Sequence, residues 1–531
     1  MTVRPVTART MTVKDHPTVA GHPWRPAVAV LVAAAWGVVA ANWTPRGPLT
    51  NAEALWSIVI SASVGLAAGW SSRSRWAMLV APAAFLLALE AARIGVRGPS
   101  VDAPRLSPLG IVALLGGRGV HGALSVLPLV LGAAYGAGLA RRVRGAPAPA
   151  APAGPAAAAG PVARDGSVRG DTGPRPSAGR RGRWWRMARR TCTGVLTAAL
   201  AAVTVAVALP ARTAPLGPNG VAELTRVDVG GAGLNMMIRG VDATAPVLLF
   251  IPGAPGGTEL GAMRRYLGAL ERRFVVATLD RRGGGASYPA LGSTATGALD
   301  GAVADTLAVT DYLRQRFRQE KIYLLGHSGG SIIGVLAVQR HPERYRAYIG
   351  TGQAVDLVST DRTAYRDILA WARSTGRDGL ARQLASQGPP PYRSVYDYEP
   401  IMLYAPRAYD YDHTPNAPGA LGFNPDVPEY TLLQRVHIVN GLLDAWSALY
   451  PDMQHVDLRR DVPRLAVPVH FVQGGHEMPS LAVPFGEWYQ RLQAPQKHQY
   501  VFETAGHRAM FEQPDRFTAV LDEILAGTGA G

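Results

Sequence analysis

Lys321-Ile-Tyr-Leu-Leu-Gly-His-Ser-Gly-Gly-Ser-Ile-Ile-Gly-Val-Leu-Ala-Val-Gln-Arg340 is the stretch from which the rest of the chain is read. Its first part is a short apolar run of β-formers, and its second part carries apolar residues at helical spacing. Gly326-His327-Ser328-Gly329-Gly330 therefore sits at a turn from strand to helix. In a chain with 60 glycines a lone Gly-x-Ser-x-Gly means little. The flanking strand and helix give it meaning: the turn is sharp, side chains at Gly326 or Gly330 would collide with neighbouring backbone, and the Ser328 hydroxyl is left exposed above a sheet.

A serine hydroxyl is a weak nucleophile at neutral pH and needs a base, itself oriented by a carboxylate. Both partners follow in the chain. Gln473-Gly-Gly-His-Glu-Met478 comes after a predicted strand, Val467 to Val472, and offers Glu477. Glu503-Thr-Ala-Gly-His507 comes after the predicted strand His498 to Phe502 and offers His507. Each lies in a loop at the carboxyl end of a strand, the edge on which Ser328 must also stand. Pro252-Gly-Ala-Pro-Gly-Gly257 follows the first buried strand, and its glycine-rich turn suits the presentation of backbone donors to an oxyanion. The two donors expected are the N–H groups of Ala254 and Gly329. Asp356, just beyond the predicted strand Ala347 to Gly350, is the alternative acid.

Around these loops, residues 217–531 alternate strands and helices, which predicts a mostly parallel sheet with helices on both faces. An opening hairpin turns through Gly230-Gly231. The rhythm stops over about residues 357–464, where helical pieces flank a Pro- and Tyr-rich middle; this reads as a cap inserted over the sheet. Asp397 and Glu399 in that cap are candidates to meet a substrate's free amine. Tyr392, Tyr396, Tyr398, Tyr404, Tyr409 and Tyr411 either pack the cap or line a pocket. His327, His470 and His476 read as packing or surface residues.

The amino-terminal part is different in kind. Hydrophobic residues make up 48% of the 531-residue chain, more than a soluble enzyme usually carries. The excess lies in apolar segments at about 27–43, 54–70, 76–92 and 120–140, so residues 1–140 read as a membrane region of about four helices. Residues 107–117 are apolar but short and read as interfacial or re-entrant. Residues 141–190 are a Pro/Ala-rich linker expected to be disordered. Of the formal net charge of +16, ten units come from this linker, where twelve arginines face Asp165 and Asp171. Charge so placed indicates a cytoplasmic loop and not a nucleic-acid surface. A fifth helix is expected over 191–210, an uncleaved anchor. Five spans with the amino terminus inside put everything after Pro210 outside the cell membrane.

The one cysteine, Cys192, excludes an intramolecular disulfide and a Cys-ligated metal site, and no His-Glu-x-x-His pair occurs, so neither cofactor nor metal is implied.

About three hundred residues resemble the α/β-hydrolase superfamily and, more narrowly, the prolyl iminopeptidase group. The resemblance rests on the Pro-Gly-Gly turn at Pro255, Asp280-Arg-Arg-Gly-Gly-Gly-Ala-Ser287 (similar to Asp-Gln-Arg-Gly-x-Gly-x-Ser), the elbow at Ser328, and Gly506-His507 followed by Phe511-Glu-Gln-Pro514. Three departures bear on the substrate: His-Gly-Gly-Pro-Gly is here Pro252-Gly-Ala-Pro-Gly256, a frequent Trp after the nucleophile is Gly329, and the usual Asp is Glu477. The resemblance implies a serine hydrolase acting through an acyl-enzyme on short peptides. Carboxylic ester hydrolysis and a non-catalytic ligand-binding sensor are the alternatives. The partners expected are a small-molecule or short-peptide substrate and the lipid bilayer.

Overall fold

The computed structural model describes residues 24–101, 104–145, 179–292, 298–409, 413–414 and 424–529. They divide into two compact units. The first holds residues up to 41, 59–92 and 126–194; the second holds 42–58, 93–125 and everything from 195 onward.

The second unit is built on eight strands: β1 (Val221–Val229), β2 (Ala232–Gly240), β3 (Val247–Ile251), β4 (Val275–Leu279), β5 (Ile322–His327), β6 (Tyr345–Thr351), β7 (Val469–Gly474) and β8 (Lys497–Phe502). Their order is β1-β2-β4-β3-β5-β6-β7-β8. The β1–β2 hairpin is antiparallel and joins β4 antiparallel, while β3 to β8 run parallel. Continuous apolar runs suit strands covered on both faces, because side chains alternate between them. Val247, Leu249 and Ile251 enter one apolar cluster, with Ile322 and Leu324; Leu248 and Phe250 enter the other, with Tyr323 and Leu325. The parallel strands all end on one edge, and the loops singled out from the sequence leave from it.

Between β6 and β7 the chain forms the cap helices Leu357–Ser374, Asp378–Gln387, Glu399–Ala408, Leu432–Met453 and Leu458–Asp461. The long one begins in a capping box, Thr431 with Gln434. Two short segments from the amino-terminal part fold onto this cap within the same unit. Asp444 is buried, and its carboxylate accepts from the Tyr288 hydroxyl at 2.5 Å and the Ser100 N–H at 3.2 Å, with Arg46 Nη2 at 3.5 Å. The Arg46 guanidinium also donates to Leu291 O at 2.7 Å and lies 4.8 Å over the Tyr288 ring. His437 Nε2 is 3.2 Å from Pro48 O, and the Tyr396 hydroxyl donates to Pro99 O at 3.1 Å.

In the first unit, small residues let helices meet backbone to backbone. Side chains at Gly65 and Gly69 would collide with the carbonyl oxygens of Leu129 and Ala133, and side chains at Gly132 and Gly136 with those of Ala62 and Leu66. Two Gly-x-x-x-Gly faces thus pack on one another. Trp36 donates its indole N–H to Ser61 Oγ at 2.9 Å.

Four helical stretches are long and apolar enough to cross a membrane: Pro26–Trp43, Asn51–Ser72, Pro108–Val143 and Met187–Ala208. Helix Ala77–Ala92, expected as a span over 76–92, is apolar but has 16 residues. Three expectations need correction. Residues 107–117 are not a separate element but open a continuous helical stretch, in which Leu114–Gly119 form a π-helical turn that absorbs the glycines and Arg118. The helix expected from 191 begins at Gly179, because an arginine-rich flank without proline can propagate a helix beyond the apolar core. The linker drawn at 141–190 therefore loses both ends, since the preceding helix runs to Gly145; the rest of it lies outside the described residues.

Removing one partner from a buried ion pair costs on the order of 3–5 kcal/mol. Asp444→Ala is expected to lower the thermal unfolding midpoint of the full chain clearly, Asp444→Asn less so. Calorimetry of the two variants beside the parent checks this, and an unchanged midpoint would mean that the Arg46 contact contributes nothing.

Candidate active site

Ser328 joins β5 to the helix Gly329–Arg340 with φ 50° and ψ −127°. A non-glycine residue in that region is strained and persists only where its surroundings over-determine it. They do so here. The Ser328 N–H donates to Thr351 O on β6 at 3.0 Å. A side chain at Gly326 would lie 2.8 Å from Ser331 Cα, and one at Gly330 would collide with Pro252 O.

His507 Nε2 lies 3.0 Å from Ser328 Oγ, and His507 Nδ1 lies 2.9 and 3.0 Å from the two Glu477 oxygens. Glu477 also accepts from the Met478 N–H at 2.9 Å. The three side chains come from the loops after β5, β7 and β8, so the parallel edge alone brings them together. Asp356 has both oxygens engaged elsewhere, one capping helix Leu357–Ser374 through the Ser359 N–H and the other taking Arg459 at 2.5 Å.

The glycine-rich loop after β3 lies against the elbow. A Cβ built on Gly329 stands 2.6 Å from Ala254 Cβ and 3.2 Å from Ala254 N, so the two expected donors are neighbours. Three charged residues to which the sequence reading gives no role at the site stand around this loop. Glu259 Oε2 accepts from the Gly253 N–H at 2.7 Å, and both its oxygens stand 2.9 Å from His327 Nδ1. Burial opposes its charge, but His327, the Gly253 N–H and Arg508 hold the Glu259 carboxyl below the usual carboxylate range. Arg281 is buried and donates from Nε to Pro252 O at 3.2 Å and from Nη2 to Gly253 O at 2.9 Å. Burial pulls its guanidinium down to about 10, with Glu259 opposing the shift. Asp280, next in the chain, is pushed up to about 6 by burial, against hydrogen bonds from Thr258, the Ala286 N–H and Tyr430. The signals for this group are the run Asp280-Arg-Arg and the acid just beyond the glycine loop; spacing does not say that they meet.

In the cap, Glu399 is buried at the start of its helix, and the Asp397 carbonyl accepts from Gln387. Tyr396 and Tyr409 are engaged with Pro99 O and Asp367, and Tyr398 packs on Trp446 and Tyr450. Tyr411 lies outside the described residues. A carboxyl not anticipated, Asp361, takes the Tyr450 hydroxyl at 2.8 Å, and burial pushes it up to about 8. Among the described residues no three His, Cys, Asp or Glu side chains cluster as a metal site.

An eight-stranded, mostly parallel sheet with a strained serine elbow and a cap defines a class of enzymes, and comparison with known proteins agrees. A family model described as alpha/beta hydrolase fold matches residues 246–514. The chain belongs to this family and is a hydrolase. In sequence it is similar to the probable aminopeptidase YbaC of Bacillus subtilis (strain 168), 29% identical over 304 residues that cover 57% of this chain and 95% of the relative. Solved structures with which it aligns include a proline iminopeptidase-related protein of Thermus thermophilus, at 21% identity and a TM-score of 0.41 over 59% of this chain and all of that one. The proline iminopeptidase of Mycobacterium smegmatis aligns at 19% identity and 0.41 over 58% of this chain and 98% of its own.

Gly352 has φ 53°, and a Cβ there would stand 2.8 Å from His507 Cε1 and 2.9 Å from His507 O. A displacement of about 1 Å at a reacting group costs roughly 10²-fold. Gly352→Ala is therefore expected to reduce kcat by about that factor while the chain stays folded. Steady-state rates beside circular dichroism decide it, and full activity would show that the imidazole has room to move.

Proposed function

We propose that this protein is a membrane-anchored serine hydrolase that removes amino-terminal residues from short peptides through an acyl-enzyme. Ser328 Oγ attacks the scissile carbonyl as His507 Nε2 takes its proton, and Glu477 stabilises the imidazolium. The oxyanion that forms accepts from the N–H groups of Ala254 and Gly329. Collapse expels the amine, which leaves with the proton from His507; water then attacks the acyl carbon, activated by the same imidazole, and frees the acid and Ser328. The observation that carries this reading is the unbroken line from Ser328 Oγ through His507 to Glu477, at 3.0 and 2.9 Å. The likeness to a probable aminopeptidase favours peptides over esters as substrate.

In this reading the catalytic domain lies outside the cell membrane. Five crossings require Ala77–Ala92 to span, and its 16 residues reach about 24 Å at 1.5 Å per residue, short of the hydrocarbon core by an amount that local thinning accommodates. Supporting five crossings, the segments around Arg46 and Ser100 both pack with the cap inside one unit, as loops on the catalytic side of the bilayer must.

Full-length protein should hydrolyse proline 4-nitroanilide, and Ser328→Ala should lose at least about 10³-fold of that rate. Turnover of 4-nitrophenyl butyrate alone would move the protein to the esterases. Failure of a fluorophosphonate to label Ser328 would leave a ligand-binding protein, and a reporter fused after Gly531 that works only in the cytoplasm would reverse the orientation.

A further inference from the structure

The Gly253–Ala254 peptide has two ends with different duties. Its nitrogen, on Ala254, lies next to Gly329 beside the nucleophile; its C=O, on Gly253, accepts from Arg281 Nη2 at 2.9 Å. This peptide is trans, so C=O and N–H point in opposite directions across one rigid plane. Whatever holds the carbonyl sets the direction of the N–H. Arg281 holds it with a fork, since its Nε takes the preceding carbonyl, Pro252 O, at 3.2 Å. The backbone of Arg281 is itself tied to the far end of the loop, its N–H donating to Gly257 O at 2.8 Å. On the other side of Gly253, Glu259 accepts the Gly253 N–H at 2.7 Å and supplies the charge that makes a buried guanidinium tolerable.

We propose that Arg281 is a positioning residue that aims and polarises the Gly253–Ala254 peptide, so that the Ala254 N–H is ready for the oxyanion before it forms. The inference rests on the reading of Ser328 as nucleophile and Ala254 as donor. A cation on the carbonyl end draws electron density along the peptide and makes its N–H a stronger donor, and the effect is large where water is excluded. Only a planar guanidinium reaches two successive carbonyls in this way; an ammonium is a single point charge. Two departures from the iminopeptidase pattern meet at this contact, since Arg281 stands where Asp-Gln-Arg-Gly has Gln and Pro252 stands where His-Gly-Gly-Pro-Gly has His. This chain orients the loop by its own means.

The test uses full-length parent, Arg281→Gln, Arg281→Lys and Ser328→Ala, with 4-nitrophenyl butyrate and proline 4-nitroanilide as substrates. Rates are normalised to the fraction of Ser328 labelled by a fluorophosphonate at end point. Losing one oxyanion donor costs about 10²–10³-fold, and misaiming one should fall at the low end. Arg281→Gln is expected to lose about 10²-fold in kcat with KM within about threefold, and Arg281→Lys to recover about tenfold of it. Affinity for a trifluoromethyl ketone, which forms a tetrahedral oxyanion on Ser328, should fall in parallel with kcat/KM. A strut with no catalytic bearing would give a smaller labelled fraction and a lower unfolding midpoint at unchanged kcat per labelled site, and that result overturns the proposal. If the parent is no faster than Ser328→Ala, the nucleophile reading itself fails and takes the inference with it; an active parent beside a fully active Arg281→Gln sinks the inference alone.

Discussion

The candidate active site depends on one unfavourable backbone conformation, the positive φ of Ser328 at 50°. An L-residue does not stay there unaided, because its Cβ crowds the neighbouring carbonyl. The surrounding sheet removes the alternatives. β6 takes the Ser328 N–H, the helix Gly329–Arg340 starts immediately after it, and glycines at 326 and 330 allow β3 and the helix to approach closer than any side chain permits. Relaxing the serine would mean separating strands whose side chains are fully buried on both faces. The strain is held by the hydrophobic core, and the hydroxyl is presented as a result.

Around the elbow the charges are arranged by what each carboxylate is paired with. Glu259 and Asp280 are both buried within reach of the same loop, yet they move in opposite directions. Glu259 has an imidazole, a backbone N–H and two arginines near it, which favour the ionised form. Asp280 has two hydroxyls and one N–H, dipoles without charge, and burial prevails. The guanidinium of Arg281 is compensated by the first of these and not by the second, although Asp280 is its neighbour in the chain. Sequence adjacency says little about which charges balance.

This difference separates what the amino-acid sequence reveals from what it hides. The elbow, the Glu477 and His507 loops and the alternation of β3 to β8 are legible because each is a local pattern: an apolar run, a glycine turn, a carboxyl-end loop. Parallel topology then brings distant loops to one edge without further information. Pairings that require knowing which loops touch are not legible: Glu259 with His327, Arg281 with the Gly253 carbonyl, Arg46 with Asp444. Helix ends mislead where composition changes but helix propensity does not, as in the arginine-rich start of Gly179–Ala208. The stretch 107–117 misleads because it is short and Arg118 and His121 look like an interruption after it, whereas a π-helical turn carries the helix through Arg118 and lets Gly117 sit close to the Ser100 carbonyl.

The contact between Pro48 and His437 spans 389 residues of chain, and ribosomes add about 5–20 residues per second. On the order of 20–80 s therefore passes between the emergence of one partner and the other. During that time Arg46 and the Ser100 segment have no Asp444 to meet, and the helices between which they lie are already made. The segments around Arg46 and Ser100 thus wait for the cap, and until it is made the Arg46 guanidinium has no Asp444 beside it. The order of synthesis is written into the packing: the contact closes only after the helix that carries His437 and Asp444 has been made.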